Sequence, residues 1–322
     1  MKIKPLKLRK SEKKSAAEIY ADEQAIILKR KKRRLKYIAV LPSIITLMNG
    51  ACGFVAIFLV SRSTELTLNL FFMRENNITL FALACYMICF GMVADTLDGR
   101  IARLTRTTSS FGGQLDSLTD AITFGVAPAL IVVNLVEFHL QYLSFDHMRF
   151  FILIERATFF AAIFYLMCAL IRLARFNVEN DEDEAAHMYF TGLPSPSAAG
   201  VVVSLVIFQQ QFMHRINYET SAFFNIFQII TVTIIPLLTF LTGILMVSRI
   251  RYPHVASQLF RAKKSLPAFL VIVATAIFFV WNIQLALLIG FCGFAFYGVL
   301  RWLVSLFPGM KGKTAKSPQQ ED

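Results

Sequence analysis

The chain of 322 residues is 56% hydrophobic and only 17% charged, with a mean hydropathy of +0.57, whereas soluble domains carry about 25% charged residues. That balance excludes a disordered chain, a disulfide scaffold and a pair of soluble domains, and it requires contact with lipid. The net charge of +12 does not point to a nucleic-acid groove, because residues 1–36 hold fourteen Lys and Arg against four Asp and Glu and the rest is nearly neutral.

Residues 1–36 read as a basic cytoplasmic arm attracted to anionic lipid. Within it, Ile19, Tyr20, Ala25, Ile26 and Ile27 precede the basic run Lys29 to Arg34, which predicts an interfacial helix over 16–35 lying on the membrane. The arm shows no short apolar core before a small-residue cleavage site, so no signal peptide is expected. A hydrocarbon core of about 30 Å takes about 20 apolar residues per crossing. Eight stretches approach that length, at 38–60, 78–97, 118–136, 150–171, 193–212, 224–247, 267–282 and 284–306. The last two are parted only by Trp281-Asn282-Ile283-Gln284, which predicts one very tight hairpin.

Loop charge orients these spans. With both termini on one side, 28 Lys and Arg fall in that compartment and five, Arg62, Arg74, Arg149, Arg156 and Arg215, on the other. The positive-inside rule makes the first side cytoplasmic. The expected fold class is therefore all-α: a polytopic integral membrane protein of about eight transmembrane helices with both termini cytoplasmic. Its organisation is an arm over 1–36, one transmembrane domain over 37–307 and a cytoplasmic tail over 308–322. The acidic run 179–184 is expected to be a solvated loop. The five cysteines sit inside apolar runs with no metal-ligand spacing, and read as small buried hydrophobes.

One stretch is not generic membrane helix. Asp95-Thr-Leu-Asp98-Gly99-Arg-Ile-Ala102-Arg103 is followed, eight residues on, by Gly112-Gly-Gln-Leu-Asp116-Ser-Leu-Thr-Asp120. Helical offsets of three and four share a face, so each half presents one stripe. Carboxylates beside hydrocarbon are costly and functional by default. Opposed across two helices, they call for hard cations such as Mg²⁺ or Mn²⁺. Two such ions are the usual device for in-line displacement at phosphorus. Gly99 and Gly112 let a bulky ligand approach the backbone, and Arg103 offers a planar fork to phosphate oxygens.

The pattern D-x2-D-G-x2-A-R-x8-G-x3-D-x3-D resembles the signature of the CDP-alcohol phosphatidyltransferase family, matched at each of its eight fixed positions. The resemblance implies that an alcohol attacks a CDP-linked lipid and releases CMP. It implies that Asp95, Asp98, Asp116 and Asp120 hold two divalent ions, that Asp120 is also the general base, and that Gly99, Ala102, Arg103, Ser109 and Gly112 lie near the CDP moiety. In the first span, Thr46 and Asn49 are three apart and are candidate nucleotide ligands, with packing between membrane helices as the alternative. Family members commonly show Pro-Asn nearby, where this chain has Pro42-Ser43.

Two further stretches, Arg172-Leu-Ala-Arg175-Phe-Asn177 and Gly192-Leu-Pro-Ser-Pro, resemble the bacterial and archaeal integral-membrane branch of that family, the type II phosphatidylserine synthases. This implies CDP-diacylglycerol and L-serine as substrates, with Arg172, Arg175 and Asn177 as candidates to receive the serine. An arginine suits the serine carboxylate as a bidentate partner. The alternative acceptors are glycerol 3-phosphate, an inositol phosphate or choline; a phosphorylated one would need more basic groups than Arg100 and Arg106 supply. The five histidines lack the paired H-x-K spacing of the soluble synthase type. A cation transporter is the remote alternative, expecting midplane acids and paired repeats, neither of which is visible. The resemblance makes a homodimer possible, and a prokaryotic plasma membrane with the site facing the cytoplasm is the expected location.

Overall fold

The computed structural model describes residues 42–62, 79–105, 110–142, 148–182, 189–215, 221–253 and 282–306. They form α1 (Pro42–Ser61), α2 (Leu80–Thr105), α3 (Ser110–Asp120), a π-helical turn (Ala121–Val126), α4 (Ala127–Tyr142), α5 (Met148–Glu182), α6 (Ser195–Arg215), α7 (Ser221–Val247) and α8 (Ile283–Leu306). Among the described residues six helices are long and apolar enough to cross a membrane: α1, α2, the continuous α3–α4 rod, α5, α7 and α8. Residues 267–281 of the span expected at 267–282, the interfacial helix at 16–35 and the tail from 308 lie outside the described residues.

The fifth expected span behaves differently from the rest. α6 has 21 residues, about 31 Å at 1.5 Å per residue, and carries Ser195, Ser197, Ser204 and Gln209 to Gln211 along a helix of spanning length. The reason is its position. α6 packs against α2, α7 and α8, so protein rather than lipid solvates much of it. Its Ala198, Ala199, Val202, Val203 and Val206 are wholly buried. Gly200 lets the ring of Phe291 on α8 lie directly on the α6 backbone.

α5 and α7 form the most extensive helix pair among the described residues, with the rings of Phe164 and Phe240 tilted by 37° and their centroids 4.5 Å apart. Small residues such as Gly243 permit that approach. Between membrane helices such close packing, rather than escape from water, is the attractive force. The outer surfaces present Phe54, Phe58, Leu153, Phe160 and Phe296, as a lipid-facing belt requires. All five cysteines are free thiols, three of them buried.

Two features depart from the sequence reading. α5 has 35 residues, about 52 Å, and overruns its expected end; the first part of the acidic run, 179–182, is therefore helix and not loop. A two-stranded antiparallel ribbon joins Tyr189–Thr191 to Arg251–Pro253, with Phe190 opposite Tyr252. It is the one non-helical element among the described residues, and it lies against the turn that opens α6.

Candidate active site

α2 and α3, joined by four residues, bring their polar faces together at one end of the bundle. One carboxylate oxygen from each of Asp95, Asp98 and Asp116 lies within 4.8 Å of the others. Asp98 is buried, and Asp95 and Asp116 are half-buried. Asp98 Oδ2 and Asp116 Oδ1 are sealed from solvent and find no hydrogen-bond partner among the described residues. Charge withdrawn from water without a counter-charge is costly, and three converging carboxylates repel one another. An all-oxygen, anionic donor set with orphaned lone pairs fits a hard divalent cation.

Asp120 stands apart from this trio. It is buried, one helical turn beyond Asp116, and its Oδ1 accepts a hydrogen bond of 2.9 Å from Asn49 Nδ2 on α1. The π-helical turn begins at the next residue, with the Ala127 N–H reaching the Ile122 carbonyl. Such turns are rare and gather at functional sites. Three helices hold this one. Thr123 Oγ1 donates to the Asn49 carbonyl at 2.9 Å. Tyr165 Oη on α5 donates to the Phe124 carbonyl at 2.8 Å. Gly53 and Gly91 bring α1 and α2 against Thr123, where a Cβ would lie 2.5 and 2.8 Å from its side-chain atoms.

A second polar group adjoins from α5 and α6. Arg172 is buried at 8% exposure, and its Nη1 donates to Ser195 Oγ at 3.1 Å. Ser195 is presented by the turn at Gly192, whose φ of +84° is open to glycine but strained for other residues. That turn is held from α7 and the ribbon: Gly192 N–H donates to the Ile250 carbonyl at 2.8 Å, and Leu193 N–H to the Leu245 carbonyl at 3.0 Å. Asn177, exposed on α5, accepts from Ser117 Oγ at 2.9 Å, tying α5 to α3. Arg175 is half-buried on the same helix.

Thr46 is buried on α1 and donates to the Pro42 carbonyl at 3.0 Å. Gly99 and Ala102 sit half-buried on α2, and Gly112 half-buried on α3. A Cβ built on Gly99 meets no atom within 4 Å. Arg103 occupies the expected position on α2, but its side chain, like the whole of Ser109, lies outside the described residues. The sequence reading did not single out Ser117, Thr123, Tyr165 or Ser195. Ser117 lies inside the aspartate motif and Ser195 between two prolines, so both carried a local signal; Thr123 and Tyr165 carried none.

A sequence model of the CDP-alcohol phosphatidyltransferase family matches residues 39–240. The chain is 34% identical over 225 residues to a CDP-diacylglycerol–serine O-phosphatidyltransferase of Helicobacter pylori, covering 69% of this chain and 81% of that one. It is 33% identical over 174 residues to the protein of that name from Methanocaldococcus jannaschii, covering 54% and 65%. The likeness extends to the one from Saccharomyces cerevisiae, at 34% over 169 residues and half of each chain.

Proposed function

The chain belongs to the CDP-alcohol phosphatidyltransferase family, and from that membership we propose that it transfers the phosphatidyl group of CDP-diacylglycerol to the hydroxyl of L-serine, giving phosphatidylserine and CMP. The observation that carries the reading is the convergence of Asp95, Asp98 and Asp116 within 4.8 Å, one turn from the buried Asp120. The choice of serine leans on the names of the relatives and on the buried Arg172.

In this reading Asp95, Asp98 and Asp116, with Asp120 alongside, hold two divalent ions, Mg²⁺ or Mn²⁺. Bound there, the ions would supply positive charge to the diphosphate and to the oxygen leaving phosphorus. Asp120 takes the proton of the serine hydroxyl. The serine oxygen bonds to the β-phosphorus of CDP-diacylglycerol, the bond from that phosphorus to the bridging oxygen breaks, and CMP departs with the electron pair. Thr46, Arg103, Ser109 and Gly112 border the CDP moiety. The missing side chain at Gly99 supports a ligand there, since a Cβ would meet no atom of the described residues within 4 Å. Arg172, Arg175 and Asn177 receive the serine, with an arginine on its carboxylate.

The transmembrane domain over 37–307 carries this chemistry while the arm over 1–36 rests on anionic lipid. The 28 to 5 split of Lys and Arg supports a cytoplasm-facing site, and the proposed location is a prokaryotic plasma membrane. A second copy of the chain is the proposed protein partner.

The test is CMP release from CDP-diacylglycerol by the purified full chain with Mn²⁺ or Mg²⁺, offered L-serine, glycerol 3-phosphate, myo-inositol phosphate and choline separately. Release with L-serine alone, abolished by EDTA, is expected. Metal-dependent release with a different alcohol would discard the acceptor while leaving the aspartates in place.

A further inference from the structure

Asn49 is wholly buried on α1, and its side-chain amide donates to a residue 71 positions away, Asp120. Its main chain is tied to the same region, because Thr123 Oγ1 donates to its carbonyl. Gly50 and Gly53 on its own helix abut Thr119 and Thr123, so α1 lies directly against the end of α3 and the π-turn. Gly91 on α2 leaves room for the amide oxygen, which would sit 2.8 Å from any Cβ there. Glycines from two helices thus clear the space in which one amide meets one carboxylate.

We propose that Asn49 is a positioning residue for Asp120. This rests on the reading of Asp120 as general base. The amide N–H occupies Oδ1 and holds the carboxylate in one rotamer, leaving Oδ2 to accept the hydroxyl proton of the acceptor. A neutral donor suits this task, since a cation in its place would form an ion pair with the carboxylate and weaken it as a base. Asn49 acts through Asp120 and need not touch substrate.

The test is steady-state kinetics of CMP release by full-length Asn49→Leu, which keeps the branched shape and removes the donor. Asn49→Ser, smaller and also lacking the amide, is carried in parallel in case the first does not fold. The expected result is a fall in kcat of about 100-fold, the scale on which misplacing a catalytic group costs rate, with KM for both substrates within about threefold of wild type. CDP-diacylglycerol binding, measured by equilibrium competition, stays unchanged. Unaltered kcat in a folded variant would reduce Asn49 to a packing residue and overturn the proposal. A tenfold rise in KM or Kd for the CDP-lipid with kcat retained would make Asn49 a nucleotide ligand, overturning it in a different way. Asp120→Asn is measured beside them: if it still turns over, the base itself is misassigned, whatever Asn49 does.

Discussion

Neutralising Asp116 should have opposite effects on stability and on metal response. Two carboxylates no more than 4.8 Å apart, when both are ionised, repel by about 3.5 kcal/mol or more at an effective dielectric constant of about 20. Asp116→Asn removes two such pairs, one with Asp95 and one with Asp98. In metal-free protein the variant should therefore melt at or above the wild-type temperature, although it has lost a motif residue. Divalent metal reverses the order. A cation bound only by folded protein stabilises it by about 2.7 kcal/mol at a hundredfold excess over its Kd. For a domain of a few hundred residues that is a rise of roughly 5 °C or more. Wild type should show this rise with Mn²⁺ or Mg²⁺, while Asp116→Asn shows little of it and releases no CMP. The assay is thermal unfolding of purified protein in detergent, in EDTA and across a metal titration. If Asp116→Asn melts well below wild type in EDTA, the carboxylates are not held in mutual repulsion. If it keeps the full metal shift, the trio is not the cation site.

Three further outcomes follow from the packing around the site. Gly53→Ala would place a Cβ 2.8 Å from the Thr123 Cα and 3.0 Å from its nitrogen. Those backbone atoms cannot rotate away, so about 1–3 kcal/mol of stability and most turnover should be lost, whereas Gly290→Ala, with no atom within 4 Å, should leave melting and turnover as they were. Gly192→Ala meets the Met246 carbonyl in a backbone conformation that disfavours side chains; by shifting Ser195 it should raise KM for serine about tenfold without altering CDP-diacylglycerol binding, and an unchanged KM would detach this turn from the acceptor. Arg172→Lys keeps the charge but loses the planar fork that meets Ser195. Its kcat/KM for serine should drop at least about tenfold in the CMP-release assay, and wild-type values would remove Arg172 from the acceptor site.

Much of this architecture was legible along the chain. Six expected spans, at α1, α2, the α3–α4 rod, α5, α7 and α8, are helices of spanning length, because lipid demands about 20 apolar residues in a row and tolerates little else. Asp95 with Asp98, and Asp116 with Asp120, were readable as two stripes for a similar reason, since offsets of three and four place residues on one helical face without reference to any neighbour; that Asp95, Asp98 and Asp116 converge while Asp120 pairs with Asn49 was not. The glycine at 192 and the arginine at 172 were visible as motif letters, but not as parts joined through Ser195.

What the sequence by itself determined is what one helix can express: its length, its apolar face and the acids along one stripe. Tertiary structure alone decided that α6 is central and can carry glutamines, because its surroundings are other helices and not lipid. It also decided that Asn49 answers Asp120 across 71 residues, and that a π-turn held by Thr123 and Tyr165 follows the proposed base. Periodicity belongs to a single element and is written in it. A hydrogen bond or a close approach belongs to a pair, and its second member is known only once the helices have packed.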